Sequence, residues 1–288
     1  MLYVQTFVTG VLSAGVLTLI AVGFSLQWRS LKLVNLAHFS IVLLSAYVTY
    51  DLATRTSLDP FLFALLVVPG AALLSMALQW LFDYFEVTVF NSLLLTFGLF
   101  ILVEGVIRDT WGGDFLRIAA DVSPYSTKSI TVLDVAVPLA PLIATVIAVV
   151  LVIGFALFIQ NSHFGKALRA IAQDREIAVA YGVNYRRVAT LLAGANGAAA
   201  GLAGLLVAIS GAVYPTASEA WIGLTFAVVI LGGIGSPLGA LVSALLIGVV
   251  TGIGTTKWGT SAAQLIMFVV LILVLLWKTE GLFKRLRV

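Results

Sequence analysis

Cysteine is absent from the 288-residue chain. That excludes disulfides, thiolate metal sites and thiol catalysis, and leaves the redox compartment open. Histidine is nearly as scarce: His38 and His163 stand far apart, with no acidic cluster near either, so no metal site is indicated. Charge is the third shortage, at 10% of residues, against about 25% in an ordinary soluble domain. The 16 basic and 13 acidic side chains cannot cover a water-facing surface for this length. A soluble globular protein, a nucleic-acid binder and a disordered chain are excluded together. No Lys or Arg precedes Arg29, so the basic start of a cleaved signal peptide is missing and the first apolar stretch is expected to remain as a span. The phosphate-cradling pattern G-x-x-x-x-G-K-[ST] is also missing, since the lone Gly165-Lys166 is followed by Ala167. The chain is therefore not expected to hydrolyse ATP or to hold a cofactor.

What is present is apolar: 61% of residues are hydrophobic and mean hydropathy is +1.12. Nearly uncharged runs fall at about 6–26, 34–53, 60–82, 89–107, 135–159, 189–209, 222–254 and 261–277. Most match the ~20 residues that cross a hydrocarbon core. Helix is required there, because lipid offers no partner to an unpaired backbone group. The expectation is an all-α polytopic membrane protein, one transmembrane domain over 1–288 with about eight transmembrane helices. The run 222–254 is too long for one span. Gly232, Gly233, Gly235, Pro237 and Gly239 break it within eight residues, so two pieces joined by a tight turn are expected, the first (about 222–234) short enough to re-enter.

Basic residues set the orientation. Lys166, Arg169, Arg175, Arg186 and Arg187 lie in 160–188, and Lys278, Lys284, Arg285 and Arg287 in the tail. Both segments are placed in the cytoplasm. Counting back puts Arg29 and Lys32 inside, and the N-terminus and the 108–134 loop outside. Glu104 and Asp51 are the acidic residues nearest the membrane interior. Glu104 reads best as a boundary residue pairing with Arg108 one turn on, and ion-coupled transport is disfavoured.

Four groups of residues carry candidate chemistry. Asn35 and His38 share a helix side and either cap the second helix or line a substrate path. With Asn91, Thr96 and Asn196 they form the tentative path. In the 160–188 connection, Asn161 or Ser162 can cap one helix, and Asp174 a second, short one that Gly182 ends. Ala172, Ile177, Ala178 and Tyr181 give that short helix an apolar face beside Asp174 and Glu176. It suits docking to a soluble partner or lying on lipid equally well. Gly194, Gly197, Gly201 and Gly204 mark one helix face for close packing. Gly235-Ser236 is the nearest thing to a nucleophile, but its glycines and proline already explain it as a turn.

Several of these segments, in order, resemble the inner-membrane permeases of bacterial branched-chain amino acid ABC transporters. Asn35-Leu36-Ala37-His38 with Ser45-Ala46-Tyr47 is similar to that family's N-[FL]-A-H-G-E…G-A-Y segment, and Thr96-Phe97-Gly98 and Trp111-Gly112 match its fourth span and following loop. Gly165-Lys166-Ala167-Leu168-Arg169-Ala170 with Asp174 through Gly182 resembles its cytoplasmic coupling segment. Leu231 through Ala240 is similar to its most distinctive motif. The resemblance implies a permease in a dimer with itself or a homologous permease, two cytoplasmic ATPases that hold the ATP and magnesium, and a periplasmic substrate-binding protein docking near 108–134 and 211–221. It also implies that 172–182 is the coupling helix. One departure stands out: Phe39-Ser40 replaces the family's Gly-Glu. Urea, short amides or another small solute are alternative substrates, and a passive small-solute channel or a non-transporting scaffold subunit are alternative roles.

Overall fold

A computed structural model describes residues 2–132 and 135–277. The basic tail at 278–288 and Asp134 lie outside the described residues. Among the described residues the all-α expectation is met by eleven helices: α1 (Leu2–Leu31), α2 (Ala37–Thr56), α3 (Ala64–Tyr84), α4 (Val89–Trp111), α5 (Leu139–Asn161), α6 (His163–Gln173), α7 (Arg175–Ala180), α8 (Tyr185–Ser210), α9 (Ala217–Gly232), α10 (Pro237–Trp258) and α11 (Thr260–Trp277). Among the described residues, six of these (α1, α3 with its leading turn, α4, α5, α8 and α10) are long and apolar enough to cross a membrane. The stretch expected to be helical from residue 135 opens instead as a strand. β1 (Ser129–Val132) and β2 (Val135–Pro138) form an antiparallel hairpin pairing Ser129 with Pro138. Its β-branched residues favour strand over helix, and the Gln5 side chain clamps Ala136 through both its N–H and its carbonyl.

The bundle thus has a hairpin end and an α6–α7 end. The Thr6 and Thr256 hydroxyls meet at 3.2 Å at the hairpin end, while Arg29, at the far end of α1, donates to the Ile234 carbonyl at 3.2 Å. The run 222–254 is accordingly two antiparallel helices, each running between the two ends. With 16 residues, α9 is about 24 Å long at 1.5 Å per residue, shorter than the ~30 Å core.

Small residues set the closest helix pairs. On α8, Gly194, Gly197 and Gly201 lie against Met76, Ser75 and Ala71 of α3, and Gly204 lies against Val42 and Ser45 of α2. Gly10 of α1 and Gly248 of α10 meet backbone to backbone. In α5 the buried stripe Ala140, Ala144, Ala148, Val152 and Ala156 recurs every four residues. The outward faces of α3, α4, α5 and α11 show Leu65, Phe90, Val150 and Leu276, the apolar skin expected against lipid.

Candidate functional site

The interior polar residues gather where α1, α2, α4 and α8 meet. His38 is buried and its Nε2–H donates to the Ile20 carbonyl at 3.1 Å. Gly23, one turn further along α1, leaves room for the ring: a Cβ there would lie 3.0 Å from His38 Cε1. Asn35 Nδ2 donates to Gln27 Oε1 at 3.4 Å, and its Oδ1 is buried without a protein partner. Neither Asn35 nor His38 caps α2; Leu36 precedes that helix with no side-chain cap. The Thr96 hydroxyl accepts from Leu36 N–H at 3.1 Å and donates to the Ser92 carbonyl at 2.7 Å, pinning the start of α2 to α4.

Asn196 also approaches Gly23, its carbonyl oxygen lying 3.6 Å from where a Cβ would stand. It is 2% exposed, and both amide atoms lack a partner. It lines a cavity of about 300 Å³ whose other walls include Gly23, Val68, Leu151 and Phe155. The fifth path residue, Asn91, is not brought to this junction. It sits exposed in the first turn of α4, where its backbone N–H donates to the Thr88 cap. Phe39 and Ser40 are both buried. Phe39 packs 5.4 Å from the Phe24 ring, in a cluster with Trp28 and Phe226, and the Ser40 hydroxyl bonds the Ala37 carbonyl.

Four polar residues of this half, Gln27, Ser75, Gln79 and Asp83, do not stand out in the sequence. Gln27 holds Asn35, and Gln79 Nε2 donates to Asp83 Oδ1 at 3.2 Å. Ser75, Gln79 and Asp83 recur every four residues in the most apolar part of α3 and its end, a periodicity that marks one helix face.

At the α6–α7 end, the capping pattern chooses Ser162 over Asn161. Ser162 Oγ accepts from Gly165 N–H at 3.0 Å, and Asp174 Oδ1 from Ile177 N–H at 3.0 Å. Gly182, with φ +89°, closes α7, and Val183 N–H reaches back to the Ala178 carbonyl. The apolar face divides. Ala178 is 4% exposed and packs on the bundle, whereas Ile177 (56%) and Tyr181 (87%) point outward with Val179. The Arg175 guanidinium lies 3.7 Å over the Tyr185 ring, linking the start of α7 to the start of α8.

The α9–α10 turn is tied down against α1. Gly233 and Gly235 take φ of +86° and +82°, which only glycine adopts cheaply. Gly235 N–H donates to Ser25 Oγ at 2.7 Å, and Ser236 Oγ caps α10 by accepting from Gly239 N–H. Pro237 follows at the first helical position, and Gly232 and Gly239 touch backbone to backbone. Ser236 is thus a helix cap. At the hairpin end, Leu116 and Val213 pair antiparallel, joining the 108–134 loop to the α8–α9 link, and the Phe115 and Tyr214 rings meet at 4.7 Å. Glu104 pairs with Arg108 at 3.0 Å and Asp51 with Arg55 at 2.8 Å. The Tyr125 hydroxyl donates to Asp59 at 2.8 Å, and that bond with the carboxylate's charge pushes the phenol above its ordinary range. No cluster of metal ligands occurs among the described residues.

The family model described as "Branched-chain amino acid transport system / permease component" matches residues 6–275. The chain belongs to this permease family. Among its relatives is the high-affinity branched-chain amino acid transport system permease protein BraD of Pseudomonas aeruginosa, 24% identical over 98% of this chain and 96% of the relative. The corresponding LivH of Salmonella typhimurium is 26% identical over the same shares. A probable branched-chain amino acid transport permease LivH of Methanocaldococcus jannaschii is 24% identical over 83% of this chain and 77% of its own length. No solved structure matches. The permease is a multi-pass membrane protein of a transport family, and its nearest approach to a nucleophilic serine is occupied in holding the α9–α10 turn.

Proposed function

We propose that the permease lines the translocation path of an ATP-driven importer of branched-chain amino acids in the bacterial inner membrane. It works as a dimer with itself or a homologous permease, with two ATPases at the α6–α7 end and a substrate-binding protein at the hairpin end. ATP and magnesium belong to the ATPases. The observation that carries this is α7: a helix capped at both ends that faces outward with Ile177, Val179 and Tyr181 uncovered. Large apolar side chains held rigidly in water's reach mark a protein interface. Orientation is supported by charge. The α6–α7 end carries Arg29, Lys32, Lys166, Arg169, Arg175, Arg186 and Arg187, against Arg55, Arg108, Arg117, Lys128 and Lys257 at the other end. The N-terminus is then outside, and the paired 108–134 and 211–221 segments form one outer platform for the binding protein.

Coupling works through packed contacts. Motion of the ATPases displaces α7, Arg175 on Tyr185 passes it to α8, and the glycine face passes it from α8 to α3. The test is Ile177→Ala with Tyr181→Ala in the assembled transporter. Each truncation of an interface anchor is expected to cost about 2 kcal/mol, close to a 30-fold loss in ATPase affinity. Retained ATPase binding and full leucine uptake would refute the docking assignment.

A further inference from the structure

The end of α3 faces the starts of α7 and α8 with one carboxylate. Gln79 and Asp83 stand one turn apart on α3, and Gln79 Nε2 donates to Asp83 Oδ1 at 3.2 Å. That bond fixes the Asp83 side chain and leaves Oδ2 buried without a hydrogen-bond partner. Its charge is answered by Arg175 and Arg186, and more strongly by Arg175. Both act from a distance. The two ion pairs among the described residues lie at the hairpin end, and Asp83, Arg175 and Arg186 line a shared cavity of about 550 Å³.

Each of these groups is fastened to a different moving part. Arg175 is the first residue of α7 and Arg186 the second of α8. The Arg175 guanidinium lies 3.7 Å over the buried Tyr185 ring, which keeps it from swinging out to solvent. On the α3 side, Phe85 N–H donates to the Leu81 carbonyl and Val87 N–H to the Phe82 carbonyl, each at 3.0 Å. Thr88 Oγ1 then caps α4 by accepting from Asn91 N–H. A pull on Asp83 therefore reaches two helices long enough to span the membrane, α3 and α4.

We infer that Asp83 is a positioning residue of coupling: Arg175 attracts it across the cavity, so α3 and α4 follow when the ATPases move α7. The assignment rests on the importer reading above and adds to it a charged route from α7 to α3, beside the packed one through α8. Coulomb attraction grows as separation falls. Driving α7 toward the bundle strengthens the pull on α3, and drawing it back weakens the pull. Arg186 acts on the same carboxylate from α8, whose glycine face already clasps α3. Its contribution is thus steady, and Arg175 supplies the part that changes.

The test is a double-mutant cycle in the assembled transporter in liposomes, reading leucine taken up per ATP hydrolysed. Asp83→Asn keeps the shape and the acceptor for Gln79 and removes one charge; Arg175→Gln removes the other. Each is expected to lower the ratio about tenfold, within the roughly 5–150-fold of ordinary coupling between sites, with the ATPases still bound. The double variant is expected to be no worse than the poorer single variant. Asp83→Glu, which keeps the charge, is expected to retain about half or more of the wild-type ratio, a rescue that a packing defect would not show. Should Asp83→Asn not fold, Asp83→Ser, smaller and also neutral, takes its place in the cycle. A wild-type ratio in either single variant, multiplied losses in the double variant, or equal losses in the neutral variant and Asp83→Glu would each overturn the assignment. A wild-type transporter without leucine uptake overturns the importer reading and this linkage with it. Coupled wild-type uptake without the pattern of the cycle overturns the linkage alone.

Discussion

Two glycines on the same face of α8 give opposite expectations for the same substitution. A Cβ at Gly197 would lie 2.6 Å from Ser75 Cβ and closer still to the Ala71 carbonyl oxygen, against an ordinary contact of 3.4 Å or more. The nearest obstacle is α3 backbone, which cannot swing aside, so α3 and α8 must part along their shared face. A radial gap of about 0.5–1 Å forfeits a quarter to a half of each dispersion contact there, and overpacking costs about 1–3 kcal/mol. Gly197→Ala should fall in the upper half of that range, near 2–3 kcal/mol, or about 30-fold or more in the folding equilibrium. A Cβ at Gly194 would also come close, 2.8 Å from its nearest neighbour, but that neighbour and the next two all belong to the Met76 side chain. A thioether has three rotatable bonds and yields, so Gly194→Ala should cost less than about 1 kcal/mol. Gly154, with open space around it on the outer face of α5, is the control and should change stability by no more than about 0.5 kcal/mol. The assay is reversible denaturation of the full chain in mixed micelles, read by tryptophan fluorescence. Equal costs at Gly194 and Gly197, or a larger one at Gly194, would refute the claim that helix-to-helix backbone contact, and not the mere presence of small residues, holds α3 to α8.

Two further outcomes follow from particular contacts. Gly235→Ala puts a methyl group where the Arg29 side chain lies and forces alanine to φ +82°; in a double-mutant cycle with Arg29→Ala the clash with the two outer methylenes should be relieved, leaving the contact with the residue-29 Cβ at 2.8 Å and the roughly 1–2 kcal/mol of left-handed strain, and a strictly additive cycle would refute this. The Tyr125–Asp59 bond should be sensitive to alkali: the phenol is raised above its unfolded value of 10.0, so its contribution is complete below pH 10 and disappears as pH climbs through the folded value. Absorbance titration near 295 nm should lose the late-titrating amplitude of one tyrosine in Tyr125→Phe and shift that amplitude earlier in Asp59→Asn; a late amplitude identical to wild type in both variants would refute it.

Features that depend on a few neighbouring residues were legible in the sequence. Asp174, and Ser162 of the pair Asn161 or Ser162, cap because a side-chain oxygen two or three residues ahead of a free N–H has little else to do; Ser236 reads from the sequence only as part of a turn, and its capping bond is shown by the structure. Gly182 and Gly233 end helices because positive φ is a local requirement. The Glu104–Arg108 pair follows from helical spacing alone. Features that need the third dimension were not legible. Nothing near Leu116 announces Val213 as its strand partner. A helix as short as α7 has no periodicity long enough to say that Ala178 faces in while Ile177 and Tyr181 face out. The 135–138 stretch looks helical in the sequence because its apolar residues run directly into α5, although Val135 and Val137 alternate as a strand does.

The glycine face and the interior polar residues hold the bundle together in different ways. Glycines clasp α8 to α3 through Gly197 and Gly201, and α1 to α10 through Gly10 and Gly248. Arg29 and Ser25 bind the α9–α10 turn to α1 as well. Each clasped pair is close-packed backbone on backbone, where any separation loses many contacts at once. Between the pairs the contact is different in kind: His38 reaches a carbonyl of α1 beside Gly23, and near the same glycine Asn196 keeps both amide atoms unpartnered beside a cavity of about 300 Å³. A buried amide in a low-dielectric interior costs free energy until something bonds it. The seam between α1 and α8 therefore differs from the clasped pairs in holding buried polar atoms that the protein leaves unbonded.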